Sequence, residues 1–151
     1  MAETTTRLAN EADLAAVATL FDGYRQFYGQ PADLPAATAF IDDRFQRADS
    51  TIIVAEQDGE VAGFTHLYPS FSSVGMARIF VLNDLFVAEG HRGSGAAQAL
   101  LGAARDFGAD EGAIRLALTT QQDNKPARAL YEQAGWTRDN EFITYTLKLV
   151  D

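Results

Sequence analysis

Cysteine is absent from the 151-residue chain, which excludes disulfide frameworks, thiolate zinc sites and a cysteine nucleophile. Basic residues are scarce: 12 Lys and Arg stand against 21 Asp and Glu, a formal net charge of −9. That balance argues against general affinity for nucleic acid or an anionic membrane, both of which require basic patches. It is compatible with a cationic substrate. No apolar run approaches the roughly 18 residues of a membrane span, and the first residues lack a basic stretch followed by an apolar one. A cytoplasmic location is therefore expected. The two histidines, His66 and His91, have no ligand-type partners at metal-binding spacing, so no metal is expected; His66 is expected to pack on a strand and His91 to lie exposed in a turn.

The residues that are present describe an ordinary globular chain, 47% apolar and 22% charged. Its length suits one domain over 1–151. Residues 4–8 are β-prone. Asn10 is a good N-cap with Asp13 three positions on, and Leu14, Val17, Phe21, Tyr24 and Tyr28 recur at helical spacing until Gly29 and Pro31. A second helix is predicted over 35–47. Strands are predicted over 51–56 and 61–68 around a turn at Asp58-Gly59, and a long, nearly continuous apolar strand over 77–87 after a loop. A glycine-rich turn leads into a helix over 96–111. A strand over 114–120, a helix capped by Asn124 with Pro126 in its first turn, and a closing hairpin (136–137 with 143–149) complete the chain. Hairpins mixed with strand–helix–strand units predict an α/β fold with a mixed sheet and helices on both faces.

The turn reads Gly90-His91-Arg92-Gly93-Ser94-Gly95. It follows a strand and opens a helix, whose first N–H groups are unpaired and carry partial positive charge. Glycines let such a backbone approach phosphate closely. No Lys stands where a P-loop needs one, and Gln98 occupies the last position of a dinucleotide fingerprint. What fits is R-x-x-G-x-A, at Arg92, Gly95 and Ala97. About 30 residues later Asn124, Ala127, Leu130, Tyr131, Gly135 and Trp136 form N-x-x-A-x-x-L-Y-x-x-x-G-W.

Together these two segments resemble the signatures of the GNAT superfamily of N-acetyltransferases. The resemblance implies the GNAT fold, with a central, splayed, mixed sheet and helices on both faces, and acetyl-coenzyme A as donor. It also implies direct transfer of acetyl to an amine in a ternary complex. By that resemblance Leu85, Phe86 and Val87 offer backbone groups to the pantetheine arm, while Arg92, Gly93, Ser94, Gly95, Ala96 and Ala97 hold the pyrophosphate. Asn124 and Ala127 contact the cofactor arm, and Tyr131 points its hydroxyl at the sulfur. Chemistry supports the last role separately: expulsion of a thiolate is helped by a phenol that donates a proton to it, and a backbone N–H near Val87 would stabilise an oxyanion. A core aromatic is the plainer reading of Tyr131.

A protonated amine must lose a proton before it attacks. Leu82-Asn83-Asp84-Leu85-Phe86-Val87 is closest in pattern to the polyamine branch of the superfamily, whose strand reads L-E-D-F-F-V. Asp84 matches and Asn83 replaces the Glu, so the base is open among Asp84, Glu89 and ordered water. The expected acceptor is a primary amine of a small molecule, bound by Tyr24, Tyr28, Tyr68 and Phe71 with Asn83 and Asp84; aromatics near carboxylates suit a cation. Alternatives are a protein lysine or N-terminal amine, or a non-catalytic acyl-coenzyme A sensor. Related acetyltransferases commonly pair through C-terminal strands, which implies a homodimer.

Overall fold

The computed structural model describes residues 3–151. It divides into a larger unit ending at Thr119 and a smaller one from Thr120 to Asp151. Five strands form one sheet in the larger unit: β1 (Thr4–Leu8), β2 (Thr51–Gln57), β3 (Glu60–Ser72), β4 (Ala77–Val87) and β5 (Leu116–Ala117). They lie in chain order, antiparallel up to β4, with β5 parallel to β4. Helices α1 (Leu14–Phe27), α2 (Leu34–Arg47) and α3 (Ala96–Asp110) pack on this sheet, and α4 (Lys125–Gln133) belongs to the smaller unit.

The entry to α1 is fixed locally. Asn10 Oδ1 accepts from Ala12 N, and the Asp13 carboxylate accepts from Asn10 N at 2.7 Å, a reciprocal cap of unpaired amides. Asp13 also receives both terminal nitrogens of Arg7, at 2.6 and 2.9 Å. These bonds hold its carboxyl below the usual range despite burial. Strand alternation then sorts the core. Ile52, Val54 and Phe64 meet Val17, Leu20 and Phe21 of α1 and Ala37 and Ile41 of α2. Ile53 and Ala55 point the other way, under α3 with its buried Leu100, Leu101 and Ala104.

Three boundaries differ from the sequence reading. β3 continues through Pro69 to Ser72, because a residue without an N–H can sit in a strand where the ladder does not need that donor. β5 keeps two residues rather than seven: only Phe80↔Leu116 and Val81↔Ala117 pair. Residues 137–151 form no strand; the alternation of Ile143, Tyr145, Leu147 and Leu149 supplies a face, but a strand also needs a ladder partner.

In the smaller unit, the Asn124 side chain accepts from Ala127 N at 3.3 Å and caps α4, with Pro126 in the first turn. The helix ends at Gly135, φ +94°, and Trp136 N returns to Tyr131 O at 3.0 Å, a glycine-dependent helix stop.

Candidate active site

β4 ends at Val87 and α3 begins at Ala96, with a 3-10 turn (Glu89–His91) and then Arg92–Gly95 between them. Gly93 and Gly95 have φ of +76° and +91°, values that disfavour any side chain. Gly95 is the N-cap of α3 and so brings no capping oxygen. Among the described residues, no protein acceptor meets the N–H groups of residues 93–98. A run of unpaired amides at a helix N-terminus suits a phosphate or diphosphate. Arg92 folds back over the end of β4, its Nε donating to Val87 O at 3.2 Å and its guanidinium 5.3 Å from the Phe86 ring centre. Among the described residues, β4 beyond Val81 has a ladder partner only in β3, so no strand pairs with Leu85, Phe86 and Val87 on the β5 side. His91 is not simply exposed as expected: its Nδ1 lies 2.8 Å from Gln57 Oε1.

The second half of the site is a bulge. His66 pairs with Asp84 but Leu67 with Leu82, so Asn83 is an extra residue in β4. Its side chain is exposed, whereas Asp84 is 1% exposed and His66 fully buried. Asp84 Oδ2 lies 3.1 Å from His66 Nδ1, and Asp84 Oδ1 accepts from Asn83 Nδ2 at 2.8 Å. His66 Nε2 continues to Ser50 Oγ at 2.6 Å. Asn83 thereby spends its amide donor inward and keeps Oδ1 as an acceptor. Tyr24 donates its hydroxyl to Asn83 O at 2.9 Å and sets its ring edge-on to Phe86. Tyr28 packs against Tyr24 at 5.1 Å. Tyr68 packs against His66 at 4.7 Å, and burial and the Asp84 charge push its hydroxyl up to about 12.

The structure therefore brings Tyr24, Tyr28, Asn83, Asp84 and Tyr68 into one connected cluster. Phe71 lies three residues past Tyr68 near the end of β3, on the opposite face by strand alternation and under the Arg78 guanidinium. Ser50 and His66 joined the network without any signal in the sequence, because 16 and 18 residues separate His66 from its two partners. In the smaller unit, Tyr131 lies on α4 six residues after the helix start at Lys125, with its ring 6.1 Å from that of Trp136.

The sequence pattern of the Acetyltransferase (GNAT) family matches residues 16–136. An uncharacterized N-acetyltransferase of Bacillus subtilis (strain 168) is 48% identical over 143 residues, 95% of this chain and 96% of its own. The streptothricin acetyltransferase of Streptomyces lavendulae is 34% identical over 116 residues, 70% of this chain and 59% of its own. The crystal structure of a probable acetyltransferase superposes with a TM-score of 0.91 at 37% identity, covering 97% of this chain and 99% of that one. An aminoglycoside N-acetyltransferase solved with coenzyme A shares the fold at a TM-score of 0.80 and 20% identity, over 99% of this chain and 97% of that one.

Proposed function

We propose that this chain, which belongs to the GNAT family of acetyltransferases, acetylates a primary amine of a small cationic molecule. The family's donor is acetyl-coenzyme A, and the observation that carries the reading is the run of unpaired amides at residues 93–98 beside Arg92. Those amides and the guanidinium bind the diphosphate, while the β4 backbone at Leu85–Val87 lines the arm. Asn124 and Ala127 complete that arm's contacts. We read residues 1–151 as one functional domain, since the family pattern runs across both compact units.

Acetyl-coenzyme A supplies an acetyl thioester that an amine can attack. The Val87 N–H stabilises the charge that builds on the carbonyl oxygen. The Tyr131 hydroxyl donates a proton to the departing sulfur. On the acceptor side Asn83 Oδ1 receives an amine N–H, and Asp84 orients that amide from beneath and lends its negative charge to the incoming cation. Asp84 also receives the amine proton when Asn83 swings from Oδ1. Tyr24, Tyr28 and Tyr68 wall the pocket, and the net charge of −9 favours approach of a cation. Asn83 where the polyamine branch carries Glu supports a small amine outside that branch. Cytoplasmic action fits these substrates, and the unpaired apolar face at 143–149 supports a homodimer.

The test is a screen of amines, amino acids and peptides with acetyl-coenzyme A, reading thiol release. A small cationic amine is expected to be acetylated, and Tyr131→Phe to lower kcat by about 100-fold, within the range typical of general acid catalysis. Tyr131→Phe should leave coenzyme A affinity within about twofold. Preference for peptides would replace the acceptor assignment; an unchanged kcat would remove Tyr131 as the acid.

A further inference from the structure

Gln57 closes β2 and has no place in the chemistry above. Its side chain is 2% exposed. Nε2 donates to Thr4 Oγ1 at 2.7 Å and to Ser94 Oγ at 2.8 Å, while Oε1 lies 2.8 Å from His91 Nδ1. Ser94 commits its own hydroxyl hydrogen to His91 O, so its oxygen must receive from Gln57. That settles which end of the carboxamide faces which neighbour, and it makes Nδ1 the donating nitrogen of His91. All three polar groups of Gln57 are used, and two of its partners stand on the glycine-rich turn, 34 and 37 residues away.

We infer that Gln57 is a positioning residue for coenzyme binding: through His91 and Ser94 it holds the amides of residues 93–98 in their anion-binding arrangement before the coenzyme arrives. The inference rests on the reading that this turn takes the diphosphate. Two glycines with positive φ make the segment intrinsically permissive, so its shape must be imposed from outside. A buried amide with every bond made can impose it, because any shift leaves polar groups unpaired in the interior. Order established before binding need not be supplied by the ligand. Loosening the anchor therefore weakens the grip without removing a single contact to the coenzyme. A mere staple between β2 and β1 would act through the Thr4 bond instead, and the two roles separate cleanly.

The experiment is calorimetric titration of the full chain with coenzyme A, with thermal melts to establish folding. Gln57→Leu is expected to weaken binding by about tenfold, the scale of one or two lost neutral hydrogen bonds. His91→Leu should weaken it comparably, the double variant little more than either single one, and Thr4→Val by less than about twofold. If Gln57→Leu does not fold, His91→Leu and Ser94→Ala, alone and combined, carry the same comparison. Near-native affinity in Gln57→Leu or His91→Leu, with Gly95→Glu unable to bind, overturns the inference alone. So does a loss in Thr4→Val as large as that in Gln57→Leu. Near-native affinity in Gly95→Glu as well overturns the assignment of the turn and the inference with it.

Discussion

Asp84 and Asn83 are adjacent in sequence yet do opposite things, one buried at 1% exposure and the other open to solvent. The resemblance of Leu82–Val87 to a family strand marks both as candidates, but the sequence cannot show that a bulge separates them or that His66 and Ser50 lie behind. Hydrogen bonds between residues 16 to 37 positions apart have no local signature. Tyr68 registers the same buried charge. Its hydroxyl, raised toward about 12, stays protonated in the folded protein after an unfolded tyrosine has ionised near pH 10. The folded state then holds the extra proton, so the contribution is intact below about pH 10 and is lost as pH rises toward about 12. Spectrophotometric titration should show a late-ionising tyrosine step, and Tyr68→Phe should remove it. Persistence of the late step in Tyr68→Phe would assign it to another ring.

Among the elements, α3 and its leading turn were readable because their requirements are local: a glycine where φ is positive, and an apolar stripe at Leu100, Leu101 and Ala104. Gly95→Glu tests the turn directly. It strains a residue at φ +91° and sets a carboxylate among amides assigned to a diphosphate. Coenzyme A affinity is expected to fall by at least about 100-fold, since charge repulsion adds to the lost geometry; calorimetry reads the result, and affinity within tenfold of the native value would contradict it. β5 is shorter than the predicted strand over 114–120 because β-propensity persists from Ile114 to Thr120 while in-register pairing does not. Propensity describes a residue, whereas a ladder needs a neighbour: among the described residues β4 pairs in register at Phe80 and Val81, Arg78 O accepts from Ile114 N before them, and no pairing continues beyond Ala117.

For the whole molecule, a mixed sheet flanked by helices followed from the pattern of hairpins and strand–helix–strand units. The C-terminal segment did not, because its expected hairpin lacks a ladder among the described residues. Ile143, Tyr145, Leu147 and Leu149 are all largely exposed, an apolar face of the kind that marks an interaction surface. Light scattering after gel filtration is expected to give twice the chain mass, and Ile143→Asp with Leu147→Asp to give the monomer. A native chain that elutes as a monomer at micromolar concentration would dismiss the homodimer.

The extra residue in β4 has a genetic corollary. Because Asn83 is the one residue of β4 between Leu82 and Asp84 that has no partner in β3, losing its single codon would set Leu82 and Asp84 side by side opposite Leu67 and His66, so that Phe80 and Asp84 keep their sides and only the bulge disappears. A three-nucleotide deletion at this codon would therefore spare the core while erasing the side chain held over Asp84, whereas the same deletion at a paired neighbour such as Val81 would turn the residues on one side of it inside out.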